Sequence, residues 1–148
     1  MTIGFGKINR LKDVKLLWLD DYRNPFDKEV DWMVFSPIGR DCEVVWVKSY
    51  YEFVKWIENN GLPDAICFDH DLGKLKEIEL RNLGYSKAEA RKAKAEEKTG
   101  YDAAKWLVNY CMEKDCDIPK FNIQSSNPVG KENITSYLMS YHNSFYNT

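Results

Sequence analysis

Short, largely apolar segments predict four strands of one sheet. Three of them, Lys15–Leu19, Glu43–Val47 and Ala65–Phe68, are near-continuous apolar runs. Runs of about four to eight apolar residues are typical of strands that are buried on both faces of a parallel sheet. A fourth segment, residues 121–124, alternates apolar and polar side chains. That alternation is typical of an edge strand.

Helices with polar starts separate these strands along the chain. A Ser followed three residues later by Glu forms a capping box at both Ser49 and Ser86. A third helix starts at Thr99, and Asn127 followed by Pro128 starts the last one. The order βαβαβ, insertion, αβα predicts an α/β fold with a doubly wound parallel sheet of four or five strands. We expect one domain over residues 1–148.

A charged segment interrupts this order at residues 74–98. The helix that starts at Ser86 is mostly Lys, Ala, Arg and Glu, so it has little to bury. Two interpretations remain open: a solvated excursion, or a lid over the neighbouring edge of the sheet. In both cases we expect this helical insertion to be the most mobile part of the chain, because few apolar side chains hold it.

The overall composition fits one soluble domain and excludes some classes of protein. The chain has 148 residues, of which 44% are hydrophobic and 30% charged. A net charge of −2 gives no global attraction to nucleic acid or membranes, so a phosphate must be held locally. No segment approaches the roughly 20 apolar residues of a membrane span. The four cysteines form no C-x-x-C pair, which predicts reduced thiols in a cytoplasmic protein.

Acidic residues directly follow two of the predicted strands. Asp20 and Asp21 come after the first strand, and Asp69 and Asp71 flank His70 after the third. Carboxyl ends of parallel strands meet at one edge of the sheet, where such folds bind ligands. Clustered carboxylates repel one another unless a cation offsets their charge, and oxygen ligands favour Mg²⁺ or Mn²⁺. The sequence therefore predicts a divalent metal site formed by Asp20, Asp21, Asp69 and Asp71.

Further polar residues near this edge suit proton transfer and phosphate binding. Histidine side chains have an unperturbed pKa near neutrality, so His70 suits a general acid or base, although a structural histidine is the alternative. Arg23 is placed to bind a phosphate with two N–H groups, and Thr99 adds a hydroxyl. The start of the last helix offers free N–H groups for an anion, or simple capping. Its candidate residues are Ser125, Ser126, Asn127 and Gly130.

Four motifs together resemble the cyclic-phosphate processing receiver domains, a receiver-like family of bacteria and phages. The motifs are residues 19–25, 68–73, 99–102 and 125–130. The resemblance implies a receiver-like fold with the flavodoxin-like strand order. It makes Asp69 the phosphoacceptor or nucleophile and places Asp20 and Asp21 on the metal. Two features depart from the pattern: no fifth strand carries a lysine, and Gln124 stands where the family often has a histidine.

The leading interpretation is a metal-dependent phosphoesterase that acts on a cyclic phosphate, either a 2′,3′-cyclic RNA end or a cyclic nucleotide. His70 would protonate the leaving oxygen. The catalytic candidates are Asp69, His70, Ser126 and Asn127, and the phosphate-binding candidates are Arg23, Thr99, Ser125 and Gly130. One alternative is a non-enzymatic switch that accepts a phosphoryl group on Asp69. Another is a phage or host inhibitor that binds a nucleotide or a protein without turnover.

Overall fold

A four-stranded parallel sheet forms the centre of the computed structural model, which describes residues 13–73 and 75–147. Its strands are β1 (Lys15–Leu19), β2 (Glu43–Val47), β3 (Ala65–Phe68) and β4 (Lys120–Ile123). They lie in the order β2-β1-β3-β4, and each neighbouring pair is parallel. This is the flavodoxin-like order, in which the chain changes direction across the sheet between β1 and β3. It confirms the predicted fold.

The helices begin where the polar capping residues predict. Ser49, Ser86, Thr99 and Asn127 each accept a hydrogen bond from a backbone N–H in the first turn of the following helix. Such bonds satisfy N–H groups that have no partner within the helix. The helices are α1 (Trp32–Phe35), α2 (Tyr50–Asn60), α3 (Glu77–Asn82), α4 (Lys87–Ala95), α5 (Gly100–Lys114) and α6 (Pro128–Tyr146).

Both faces of the sheet are covered, which explains why the central strands are apolar throughout. Leu17, Leu19 and Phe68 face the main core, where α2, α5 and α6 pack. Leu16 and Trp18 point to the opposite face, since side chains alternate along a strand. There the cover is the β1–β2 connection, including the short helix α1. The long helices therefore all contribute to the core on one side of the sheet.

The charged insertion contains a small core of its own. Leu80 of α3 and Ala90 and Ala93 of α4 are buried against Tyr51 of α2. The two alanines lie three residues apart, so they share one face of the helix. The helix therefore buries little, as its composition predicts, but the two alanines that it does bury pack in a defined cluster. The sequence contains few large apolar residues there, but the close approach of α2 buries small ones.

The structure also bears on the predictions about the cysteines, membrane spans and the limits of the domain. The four cysteines are free, and Cys67 and Cys111 are buried. Within the described ranges, no helix has the length and apolar character that crossing a membrane requires. Residues 1–12, 74 and 148, which include the outer limits of the predicted domain and the first residue of the insertion, lie outside the described residues.

Candidate functional site

The backbone hydrogen bonding of the sheet continues for one residue beyond three of its strands. The N–H groups of Asp20, Asp69 and Gln124 each donate to the carbonyl oxygen of the last residue of a neighbouring strand, at 2.9 to 3.0 Å. These three residues therefore lie at the same level, at the carboxyl edge of the sheet. Strand register, and not proximity along the chain, brings Asp20 and Asp69 together.

Asp20, Asp21 and Asp69 form a compact acid group at this edge. One carboxylate oxygen from each lies within 4.8 Å of the others. Asp20 is 1% exposed and Asp69 is 6% exposed, so two of the three acids are buried. Convergent carboxylate oxygens are the donors that Mg²⁺ and Mn²⁺ prefer, and a divalent ion offsets the repulsion among them. The donor set therefore fits a hard divalent cation.

Arg23 lies against the acid group. Its Nη1 atom is 3.4 Å from Asp20 Oδ2 and 3.9 Å from Asp69 Oδ1. One guanidinium thus lies beside two of the three carboxylates and offsets the charge of the acid group only in part. The side chain is 32% exposed, and its contacts with other described residues use Nη1. Its remaining N–H groups are consistent with the predicted role in phosphate binding.

Two tryptophans hold the loop that carries these groups. Trp46 Nε1 donates to the carbonyl oxygen of Asp20 at 2.7 Å, and Trp18 Nε1 donates to that of Arg23 at 3.0 Å. The Oδ1 atom of Asp20 accepts from the backbone N–H groups of Tyr22 and Arg23, at 3.0 and 2.9 Å. The loop is thus fixed at both ends, and Oδ2 of Asp20 contacts the guanidinium of Arg23.

Burial raises the pKa of Asp69 to about 6, and the charges of Asp20 and Asp21 add to the effect. Arg23 and the backbone N–H of His70 oppose it. Without a cation, Asp69 therefore keeps its proton up to a pH well above the pKa that an aspartate usually has. A divalent cation would favour the ionised carboxylate, so a proton and a cation would compete for the same oxygens.

His70 and Asp71 form a second group next to the acids. His70 Nδ1 lies 2.8 Å from Asp71 Oδ1, and Asn127 Nδ2 lies 3.4 Å from both Asp71 oxygens. The hydrogen bond with His70 is the main cause that lowers the pKa of Asp71. An Nδ1–H donated to a carboxylate leaves Nε2 as the nitrogen for proton transfer.

Asp71 lies outside the acid group, contrary to its predicted role as a metal ligand. The prediction assumed an extended chain, in which Asp69 and Asp71 point to the same side. In the structure the sheet hydrogen bonding ends at Asp69, and the chain then turns. Asp71 points instead to His70 and Asn127, where it orients the imidazole.

Two glycines allow helices to approach these groups closely. A Cβ atom at Gly130 of α6 would overlap the ring of His70. A Cβ atom at Gly100 of α5 would overlap the carbonyl oxygen of Asp69, and the N–H of Gly100 donates to His70 O at 2.8 Å. Only glycine fits at either position, because any side chain would displace the catalytic candidates.

The predicted phosphate-binding hydroxyls lie at the helix starts, where capping uses most of them. Thr99 Oγ1 donates to Asp102 Oδ2 at 3.2 Å and caps α5. Ser125 Oγ accepts from Asn127 N at 3.1 Å, and the N–H of Gly130 donates to Asn127 Oδ1 at 3.0 Å. The exposed hydroxyl of Ser126 has no such partner among the described residues. Capping is thus the role that the structure shows for this motif.

These groups lie within a region that matches a family model. The model of the cyclic-phosphate processing receiver domain matches residues 15–140, which span β1 to most of α6. The chain belongs to this receiver family. No curated protein and no solved structure matches the chain. Membership confirms the resemblance predicted from the four motifs and indicates a role in cyclic-phosphate processing.

Gln124 is a buried residue of this receiver-family site whose contacts the sequence did not predict. It follows β4 as Asp69 follows β3, and its Nε2 atom donates to Leu19 O at 3.0 Å. Its Oε1 atom is buried without a hydrogen-bond partner among the described residues. Buried polar atoms are normally paired. The signal in the sequence was the position of Gln124 one residue past the end of a strand, because Asp20 and Asp69 occupy the same position after β1 and β3.

The sheet of this receiver-family protein has four strands in the described part of the chain, with β4 at one edge. Lys131, which the sequence places near the last motif, lies on α6 and not on a strand. The positively charged side chain beside the acid group is instead that of Arg23, in the β1–α1 loop. The positive charge of this site therefore comes from the N-terminal part of the sequence, whereas Lys131 lies in the C-terminal part.

Proposed function

We propose that the protein is a metal-dependent phosphodiesterase that opens a cyclic phosphate, either a 2′,3′-cyclic RNA end or a cyclic nucleotide. One observation carries the proposal: two different groups meet at one edge of the sheet. The acid group with Arg23 suits a divalent cation and phosphate oxygens. Directly after Asp69, the His70–Asp71 pair suits proton transfer.

The acid group and Arg23 would bind the phosphate end of the substrate. Asp20, Asp21 and Asp69 would hold Mg²⁺ or Mn²⁺, and such an ion supplies Lewis acidity toward phosphate oxygens and makes water more acidic. The N–H groups of Arg23 that make no ion pair with the acids would donate to a non-bridging oxygen of the phosphate. Asp20 cannot rotate away freely, because backbone N–H groups hold its Oδ1 atom.

His70 would protonate the leaving oxygen. Water adds to phosphorus, one ring P–O bond breaks, and the released ribose oxygen takes a proton from Nε2 of His70. The attacking water loses a proton to a carboxylate of the site. Asp71 keeps Nδ1 of His70 protonated, and Gly130 sets the position of the ring. The product is a phosphate monoester.

The proposal is tested with a panel of 2′,3′-cyclic and 3′,5′-cyclic nucleotides, each assayed with Mg²⁺ and with Mn²⁺. We expect cation-dependent formation of a monoester, and no product with Asp69→Asn. Asp41→Asn is the matched control, because Asp41 is exposed and lies outside the acid group. Failure of the wild-type protein to turn over any member would reject the phosphodiesterase.

A second candidate is a receiver-like switch, and the position of Asp69 favours it. Asp69 follows β3 beside two further acids, where receiver logic places the phosphoacceptor. In that case acetyl phosphate would phosphorylate the wild-type protein but not Asp69→Asn, as measured by intact mass. Phosphoryl uptake without turnover would favour the switch. If neither occurs, the third interpretation, a nucleotide- or protein-binding inhibitor, is supported.

A further inference from the structure

A cleft of about 280 Å³ opens between the carboxyl edge of the sheet and the charged insertion. Tyr50 at the start of α2, Leu72 and Gly73 after β3, and Lys94 and Glu97 of the insertion contribute to its wall. It lies directly beside the acid group, because a Cβ atom at Gly73 would overlap Oδ2 of Asp21. A molecule that reaches from the acid group into this cleft would therefore need no long linker.

The wall of the cleft combines apolar surface with hydrogen-bond donors and hydrogen-bond acceptors. Tyr50 and Leu72 are its aromatic and aliphatic parts. Lys98 is already engaged, since its Nζ atom lies 3.7 Å from Glu96 Oε2 and 5.7 Å from the centre of the Tyr50 ring. Lys94 and Glu97 form no ion pair with any described residue. They leave one donor and one acceptor for a ligand.

The charge and size of the cleft decide which chemical class it suits. Two lysines and two glutamates line it, so it has no excess positive charge for a second phosphate. Its volume is just below the roughly 300 to 1,000 Å³ that is typical of small-molecule sites, so one nucleoside fits but an oligonucleotide does not. A flat heteroaromatic group with both donors and acceptors matches this wall. A nucleobase has these properties.

We propose that this cleft binds the nucleobase of a 2′,3′-cyclic nucleotide while the cyclic phosphate lies at the acid group. The inference rests on the proposed function and specifies its substrate class. Leu72 and Tyr50 contact the faces of the base. Lys94 donates to ring nitrogen or carbonyl acceptors, and Glu97 accepts from an exocyclic amino group. The insertion thereby becomes part of the substrate site.

Charge reversal of Lys94 tests the inference. Lys94→Glu should raise the KM for the preferred 2′,3′-cyclic nucleotide about tenfold or more, as expected for loss of a hydrogen bond to a charged group. The KM for glycerol 1,2-cyclic phosphate, which has no base, should not change. Lys92→Glu is the matched control, because it makes the same charge change in α4 outside the cleft. An equal effect on both substrates, or none on the nucleotide, would overturn the inference.

A binding experiment separates this inference from the proposed function. The four common nucleosides, which carry no phosphate, are titrated into ¹⁵N-labelled protein without metal. Shifts of the Gly73 and Lys94 amide signals, weakened in Lys94→Glu, support the cleft even if no cyclic phosphate is hydrolysed. Turnover of cyclic nucleotides without any such shift supports the phosphodiesterase and overturns the cleft.

Discussion

At the carboxyl edge of the sheet, individual acidic residues are buried although their negative charge is only partly neutralised. Asp69 shows this most clearly. Its side chain is buried and lies beside two further carboxylates, with one guanidinium nearby. Burial and like charges both raise the pKa of this residue. A residue of this kind costs stability when ionised and unpaired, and it is typical of functional sites.

The pKa of Asp69 predicts a specific pH dependence of stability. Without metal, the free energy of unfolding should fall as the pH rises from about 4 to about 6. Over that interval folded Asp69 keeps its proton, whereas the unfolded chain, with a pKa of 3.8, has lost it. Urea unfolding in the presence of a chelator, compared between the wild type and Asp69→Asn, measures the effect. The variant should lack this component, and identical pH profiles would contradict the assignment.

The two histidines provide a matched pair for testing proton transfer. His70 lies 2.8 Å from Asp71, and His142 lies 2.7 Å from Asp117, so both rings have the same kind of partner. Asp117 precedes β4 and is therefore remote from the carboxyl edge. His70→Ala should lower kcat about 10²- to 10⁴-fold, as expected for a general acid, and leave Mn²⁺ affinity measured by calorimetry unchanged. A similar loss of kcat in His142→Ala would show that the effect is not specific to the site.

Among the secondary-structure elements, the insertion differs most from the rest of the chain. Helices α2, α5 and α6 pack on the sheet through the main core, which includes large residues such as Phe53 and Leu107. Helix α4 contributes only two alanines to a separate, smaller cluster. Less buried apolar area gives a lower free energy of local opening. The two capping-box contacts at Ser86 add local order to α4 without adding burial.

We therefore expect amide hydrogen exchange to be faster in α3 and α4 than in β1 and β3. The expected order of protection is the strands, then α5 and α6, then the insertion, because protection follows the burial of each element. Native-state exchange measured by mass spectrometry after pepsin digestion resolves these segments. Protection of residues 87–95 equal to that of the strands would contradict the prediction and indicate that the small core around Ala90 is sufficient.

The acid group links two central strands of the whole molecule. Asp20 and Asp21 follow β1, and Asp69 follows β3, at the point where the chain changes direction across the sheet. A cation bound there would bind only the folded protein, because the unfolded chain does not hold these residues together. Its binding free energy would therefore add to the stability of the entire domain.

Addition of Mn²⁺ should raise the melting temperature of the wild-type protein, and a chelator should reverse the increase. At a cation concentration of 100 times Kd the stabilisation is about 2.7 kcal/mol. Asp20→Asn should lose most of this gain, whereas Asp41→Asn, with the same change at an exposed acid outside the group, should keep it. Differential scanning calorimetry measures both. An increase that survives Asp20→Asn would place the cation elsewhere.

Local patterns in the sequence were sufficient to predict much of this protein. Apolar runs identified β1, β2 and β3, and capping residues identified the starts of α2, α4, α5 and α6. Both signals depend on neighbours along the chain, so no long-range contact is needed to read them. The acid group was predictable as well. Parallel strands bring their carboxyl ends to one edge, which predicts that Asp20 and Asp69 lie at the same edge, and the adjacency of β1 and β3 then brings them together.

Contacts between distant parts of the chain decided the remaining features. Asp71 turns to Asn127, Gln124 reaches Leu19, and the ring of His70 packs against Gly130. Ala90 and Ala93 are buried only because α2 lies against them. None of these outcomes follows from residue type or spacing, since each depends on where the chain turns after a strand ends and on which surface then faces it. Tertiary packing therefore selected which acids converge and which one orients the histidine.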